Sequence, residues 1–230
     1  MEQRTGFWDF LYHLTDWFMR FAVSNFYWFV LNIPFFFILL VIFWFQVPLG
    51  LLYYGIAFFL VVSLLTFPAT SALFATIREW VLKREISSIT KSYFCFFKEN
   101  YKQSIRAGAI FTALWLIWSG DMYYARTVQN TAFFVSFLIM GFLLFVWTVN
   151  YFSFQANFRE RLMNLLKNSF FFTLGKPLAS LTIGFVGLSL FYVSFFRLIF
   201  LLPFFTFSLQ AFVSYQIFHF VLLRVREKNR

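Results

Sequence analysis

The chain alternates between long apolar runs and shorter polar ones. No Asp, Glu, Lys or Arg occurs in residues 21–77, 127–158, 177–196 or 198–223. A helix needs about 20 mostly apolar residues to cross the hydrocarbon layer, and each of these gaps is long enough. The pattern predicts six spans: Phe26–Phe45, Leu49–Phe67, Ile105–Gly120, Thr131–Ser153, Leu178–Phe196 and Phe200–Leu223. Pro34 is expected to kink the first, and "QVPLG" to turn it back. The third is the shortest, since Arg106 and Asp121 bracket it. It can reach across the bilayer if Lys102 and Arg106 snorkel.

The segments joining the spans have helical periodicity of their own. In Ser71–Arg84, Leu73, Ile77, Trp80 and Val81 recur on one stripe, with Glu79 and Lys83 as an i,i+4 pair opposite. Pro68 is expected to end the second span, and Thr70 or Ser71 to cap a new helix. In "SSITKSYFCFFKENYKQSIR", Phe94, Phe97 and Tyr101 share a stripe with Lys91, Lys98 and Lys102 elsewhere. This predicts a helix lying in the membrane interface. "NFRERLMNLLKNSFFFTLGKP" has the same character.

An offset of 76 residues aligns Lys91 with Lys167, Phe94 with Phe170, Phe96 with Phe172, Ser104 with Ser180 and Gly108 with Gly184. The last two pairs place small residues four apart at the start of spans three and five, where they let helices approach closely. They are the candidate helix-packing residues. With the N-terminal "FWDFLYHLTDWFMRF", the layout suggests three parallel units, each an interfacial helix followed by two spans.

Composition agrees with this class. Of 230 residues, 61% are hydrophobic and 12% charged, against roughly 25% charged in a soluble domain. The expected fold is therefore all-α and polytopic, one integral membrane domain over 1–230 with helical connections at 68–104 and 154–177. A net charge of +10 could point to nucleic acid, but its distribution gives another source. Lys and Arg number two in the N-terminal segment, seven in 68–106, four in 154–177 and four in the tail. The opposite turns hold only Arg126 and Arg197. Because cytoplasmic loops collect Lys and Arg, both termini and both long connections are expected in the cytoplasm, and no nucleic-acid partner is implied. The apolar run begins only near Phe26 and has no A-x-A site, unlike a secretory signal.

Candidate chemistry is sparse. His13 and His219 have no Cys, Asp, Glu or second His at ligand spacing, and Cys95 sits among phenylalanines. No nucleophile elbow, metalloprotease or phosphate-loop motif occurs. No catalytic residue, metal or cofactor is expected. The six spans contain no acidic residue, which argues against an ion-coupled pump. Asn32, Asn150, Gln155 and Gln210 are the strongest polar groups there, and interhelical hydrogen bonds account for them. A neutral-solute pathway lined by such amides is the alternative. The remaining candidate is a partner-docking surface comprising Pro68, Thr70, Arg78, Glu79, Lys91, Lys98, Glu99, Asn100 and Arg159.

The order of span, "PAT", short helix with Arg78, then "FFKENYKQS" resembles the YesL-like membrane proteins of Gram-positive bacteria, as does "NYFSFQANF" followed by "LLKNSFFF". Phe67 departs from the glycine common before that proline. The resemblance implies a bacterial cell membrane location and association with carbohydrate-uptake loci encoding ABC importers. The expected role is accessory or regulatory, with importer subunits or a membrane sensor as partners. Neither long connection carries the E-A-A-x-x-x-G-like coupling segment of an ABC permease.

Overall fold

The computed structural model describes residues 6–45, 51–84, 88–128 and 131–228. The return turn expected at 46–50 lies outside them. All regular structure among the described residues is helical. The elements are α1 (Gly6–Leu31), α2 (Ile33–Phe45), α3 (Leu51–Val61), a π-helical segment (Val62–Thr66), α4 (Phe67–Val81), α5 (Ile89–Thr127), α6 (Thr131–Asn157), α7 (Leu162–Gly175), α8 (Pro177–Phe196), α9 (Leu201–Phe204) and α10 (Thr206–Lys228).

Among the described residues, four helices are long and apolar enough to cross a membrane: Tyr53–Val81, Thr131–Asn157, Pro177–Phe196 and Thr206–Glu227. A fifth candidate is the pair Trp8–Leu31 and Ile33–Ile42, bent by 57°. Large side chains such as Phe37, Trp44, Tyr53, Phe185 and Ile199 are exposed. An exterior this apolar fits a bilayer rather than water.

The bend falls at Asn32, two residues before Pro34. A proline has no N–H for the carbonyl four residues back, and its ring crowds that turn. The Asn32 N–H is shared between the carbonyls of Trp28 and Phe29, at 3.2 and 3.0 Å. The Asn32 side chain also donates to the Trp28 carbonyl at 2.7 Å. This amide therefore serves its own helix and not a neighbour. The N-terminal segment is not a helix separate from the start of the expected first span, because α1 runs unbroken from Gly6 to Leu31.

Pro68 does not end the second span. The helix continues from Leu51 through Val81, and Thr66 and Phe67 both keep right-handed helical dihedrals. What changes is the preceding turn, where the Phe67 N–H bonds to the carbonyl of Val62, five residues back. Such a widened turn is one of the few ways a helix accommodates a disturbance of its ladder. Thr70 is accordingly not an N-cap. Its hydroxyl donates to the Thr66 carbonyl inside the helix, at 2.7 Å.

The interfacial helix expected around Phe94–Tyr101 and the third span are also one element. Helix α5 runs for 39 residues, about 58 Å at 1.5 Å per residue. It contains no proline to break it, although its N-terminal half carries Lys91, Lys98, Glu99, Lys102 and Arg106.

Helix α4 forms the centre of the bundle. Ala69, Ala72, Leu73 and Ile77 are fully buried, and α1, α5, α6 and α10 surround it. The small residues let backbones approach, and aromatic rings fill the space between them. Phe67 meets Phe111 and Phe152, and Trp80 presents its edge to Trp17 and Phe21. Where α5 crosses the π-helical segment, a Cβ on Gly108 would lie 2.9 Å from the Ser63 Cα. A Cβ on Gly184 would meet the Phe142 ring of α6. Their companions are bonded as well. Ser104 accepts from Gln155 at 3.0 Å, and Ser180 donates to the Thr173 carbonyl at 2.8 Å.

Candidate functional site

Polar side chains gather at one end of the bundle, where the C-terminus of α4, the first half of α5, the α6–α7 connection and α10 meet. Helix α4 stops there in a Schellman turn. The Lys83 N–H bonds to the Trp80 carbonyl at 3.0 Å, and the Arg84 N–H to the Glu79 carbonyl at 2.9 Å. Lys83 takes the left-handed position, with φ of 55°. The turn brings Arg84 back over the helix end, so its guanidinium lies 3.4 Å from both carboxylate oxygens of Glu79. Glu79 is therefore paired with arginines, not with Lys83.

Arg78 completes this clasp. Its Nε donates to Glu79 Oε1 at 2.8 Å, and its Nη2 binds the same oxygen. Its Nη1 donates to the Ala156 carbonyl in the last turn of α6, where the helix dipole is negative. The guanidinium also sits over the Phe96 ring, 5.8 Å from its centroid. Asn157, next in α6, accepts from the hydroxyl of the buried Tyr215 at 3.1 Å. Arg78 and Glu79 thus lock α4 to α5, α6 and the following turn. Their charges are satisfied inside the protein.

The nine proposed docking residues divide accordingly. Pro68 is buried, and Thr70 is half-buried, accepting from the Trp28 indole N–H at 2.9 Å. These two, together with Glu79, do not form an outward surface. Their polarity is used within the bundle. Lys91, Lys98, Glu99 and Arg159 are exposed, and Asn100 is half-buried. Arg159 pairs with Glu99 at 2.6 Å, and Gln103 donates to the Glu160 carbonyl at 2.7 Å. These contacts tie α5 to the α6–α7 connection. Beneath this face Tyr93 is fully buried, donating from its hydroxyl to the Ala69 carbonyl at 3.0 Å. Burial pushes the ionisation of that hydroxyl well above its ordinary range.

Among the other amides expected to bridge helices, Asn150 donates to Thr173 at 2.9 Å and Gln155 to Ser104. Gln210 donates to Ser214 in its own helix at 3.1 Å and to the Ile183 carbonyl of α8 at 3.4 Å. The sequence reading missed Asn25, which is fully buried. Its Oδ1 accepts from the N–H groups of Phe207 and Ser208, both at 2.9 Å, and its Nδ2 donates to the Leu202 carbonyl at 2.8 Å. It caps the start of α10 from another helix. The available signal was an amide inside a charge-free run.

Residues 21–122 match the family model described as "Protein of unknown function, DUF624". The chain is 25% identical over 191 residues to "Uncharacterized protein YesL" of Bacillus subtilis (strain 168), covering 80% of this chain and 79% of that one. The chain is similar to the YesL-like family. No solved structure matches it. The matched segment contains the end of α1, the whole of α4 and most of α5. The Arg78–Glu79 clasp and the exposed residues of α5 therefore lie in the part shared with the family model.

Proposed function

We propose that this protein is an accessory membrane component of a carbohydrate-uptake system of the ABC-importer type. It would act by presenting the first half of α5 and the α6–α7 connection to a partner subunit or membrane sensor. The observation that carries this reading is the exposed group Lys91, Lys98, Glu99 and Arg159 on a firmly tied support. An unbroken helix, the Glu99–Arg159 pair and the buried clasp all hold that face in place. A surface organised before binding loses less entropy on association. The importer itself is suggested by the family resemblance.

This reading takes the Ile105–Gly120 part of α5 as a further span, giving six in a bacterial cell membrane. The charge distribution then puts both termini and the Arg159 connection in the cytoplasm. The Ser104/Gly108 and Ser180/Gly184 pairs relate two of three proposed parallel units, and the N-terminal unit rests on layout alone. Lys98→Glu combined with Arg159→Glu is expected to abolish co-purification and crosslinking of a membrane partner in mild detergent. Recovery of the chain alone from wild-type cells, even after crosslinking, overturns the reading.

A second reading, a small neutral-solute permease acting by itself, is favoured by a half-open space between the helices that, among the described residues, no charged residue lines. Saturable flux in proteoliposomes holding only this chain would select it.

A further inference from the structure

Between the helices lies a half-open pocket of about 310 Å³, lined from α1, α2, α3, the π-helical segment, α4, α5, α6, α8 and α10. Its walls are mainly aromatic and aliphatic, with Trp28, Phe58, Phe152 and Phe207 among them. Five threonine or glutamine side chains interrupt them. Two are fully occupied with other tasks: Thr70 donates to the Thr66 carbonyl, and Thr148 to the Leu144 carbonyl. The other three are Thr66, Thr112 and Gln210, whose Thr66 Oγ1, Thr112 Oγ1 and Gln210 Oε1 are buried without a protein hydrogen-bond partner.

Thr112 and Gln210 are 1% and 5% exposed, and more than nine in ten buried polar groups in proteins are hydrogen-bonded. Eight other unpartnered side-chain atoms are buried elsewhere among the described residues, but these three share one apolar space, where a single bound donor can reach them. Gln210 is especially specific. Its Nε2 is committed to Ser214 and Ile183, leaving a carbonyl oxygen that can only accept. Gly187 gives this amide its room, because a Cβ there would stand 2.9 Å from both amide atoms.

We propose that this cavity is a binding site for a small, neutral, mostly apolar molecule carrying a hydroxyl or N–H donor. An ionised ligand is disfavoured because it would leave a charge in a low-dielectric space without a counter-ion. A polyhydroxylated ligand would have most of its hydroxyls facing hydrocarbon. The volume equals that of about ten waters at roughly 30 Å³ each, so the fitting body has on the order of ten heavy atoms. Flat rings suit the aromatic walls, and the donor meets Gln210 Oε1. The site requires neither an importer partner nor flux, so it stands or falls separately from both readings above.

The test uses the full chain in nanodiscs, with empty nanodiscs as the blank. Phenol, indole and 2-naphthol are titrated by calorimetry, with 2-methoxynaphthalene and glucose for comparison. Saturable binding of at least one donor-bearing ring is expected, with 2-methoxynaphthalene and glucose weaker. Gln210→Leu is expected to weaken binding about tenfold, the value of one buried hydrogen bond. Because Gln210→Leu could disturb folding, Thr112→Val provides a nearly isosteric second variant. It should leave the melting temperature of the ligand-free protein little changed, and should reduce the thermal shift produced by the ring. Gly187→Ala should weaken binding by displacing the amide. Binding of none of the three rings overturns the proposal. So does equal binding of the methoxy compound or glucose, or affinities unchanged by all three variants.

Discussion

Replacing Asn25 by leucine tests how the bundle holds a helix end within its interior. The side chain makes three hydrogen bonds of 2.8–2.9 Å to the backbone of α9 and α10, and it is fully buried. The first N–H groups of a helix have no partner in their own ladder. Removing the amide therefore strands two donors and the Leu202 carbonyl. Interhelical hydrogen bonds in membranes average about 0.6 kcal/mol, because the dispersed helices find other partners. Three at that value set a lower bound of roughly 2 kcal/mol. Groups left unsatisfied cost about 1–3 kcal/mol each, and partial relaxation brings the expected loss to about 2–4 kcal/mol. Equilibrium unfolding in mixed SDS micelles measures it. Ser24→Ala is the control, since the buried Ser24 hydroxyl has no partner, and it should change stability little. A loss below about 1 kcal/mol for Asn25→Leu, or one matched by Ser24→Ala, would refute the capping argument.

Glu79→Gln should cost about 2–3 kcal/mol, because it leaves Arg78 half-buried with its counter-charge gone, whereas Arg84→Ala should cost under about 1 kcal/mol at this more exposed, longer contact. Thermal unfolding of the two variants side by side checks the difference. Lys83→Gly should stabilise the protein by about 0.5–1 kcal/mol, since glycine adopts the left-handed position without steric penalty; a lowered melting temperature would contradict that. Gly108→Ala should destabilise by about 1–3 kcal/mol, because its Cβ meets backbone at Ser63. Gly120→Ala, with open space around it, should be tolerated in the same assay.

The apolar runs were enough to locate α6, α8 and α10, because a charge-free stretch of that length reports its surroundings directly. The bend near Pro34 was legible for a similarly local reason. Pro68 misled because a proline's effect depends on the turn before it, and nothing in the composition of Val62–Thr66 marks a π-helical turn. The start of the third span misled in a different way. Polarity changes along Ile89–Thr127, so the environment changes, but no residue there interrupts the backbone. For Thr70, Glu79 and Asn25 the decisive partners are remote: Trp28, Ala156 through Arg78, and the Leu202–Ser208 turn. A polar residue paired across the fold looks the same in one dimension as a polar residue meant for solvent.

The π-helical turn ahead of Pro68 also sets the rotational phase of the central helix. A surplus residue there turns everything downstream by about 100° relative to α3. That offset aims the alanine stripe of α4 inward while Arg78 reaches the end of α6. A one-residue deletion within Val62–Thr66 would reset the angle, swinging the stripe away from its neighbours and the ion pair away from Ala156.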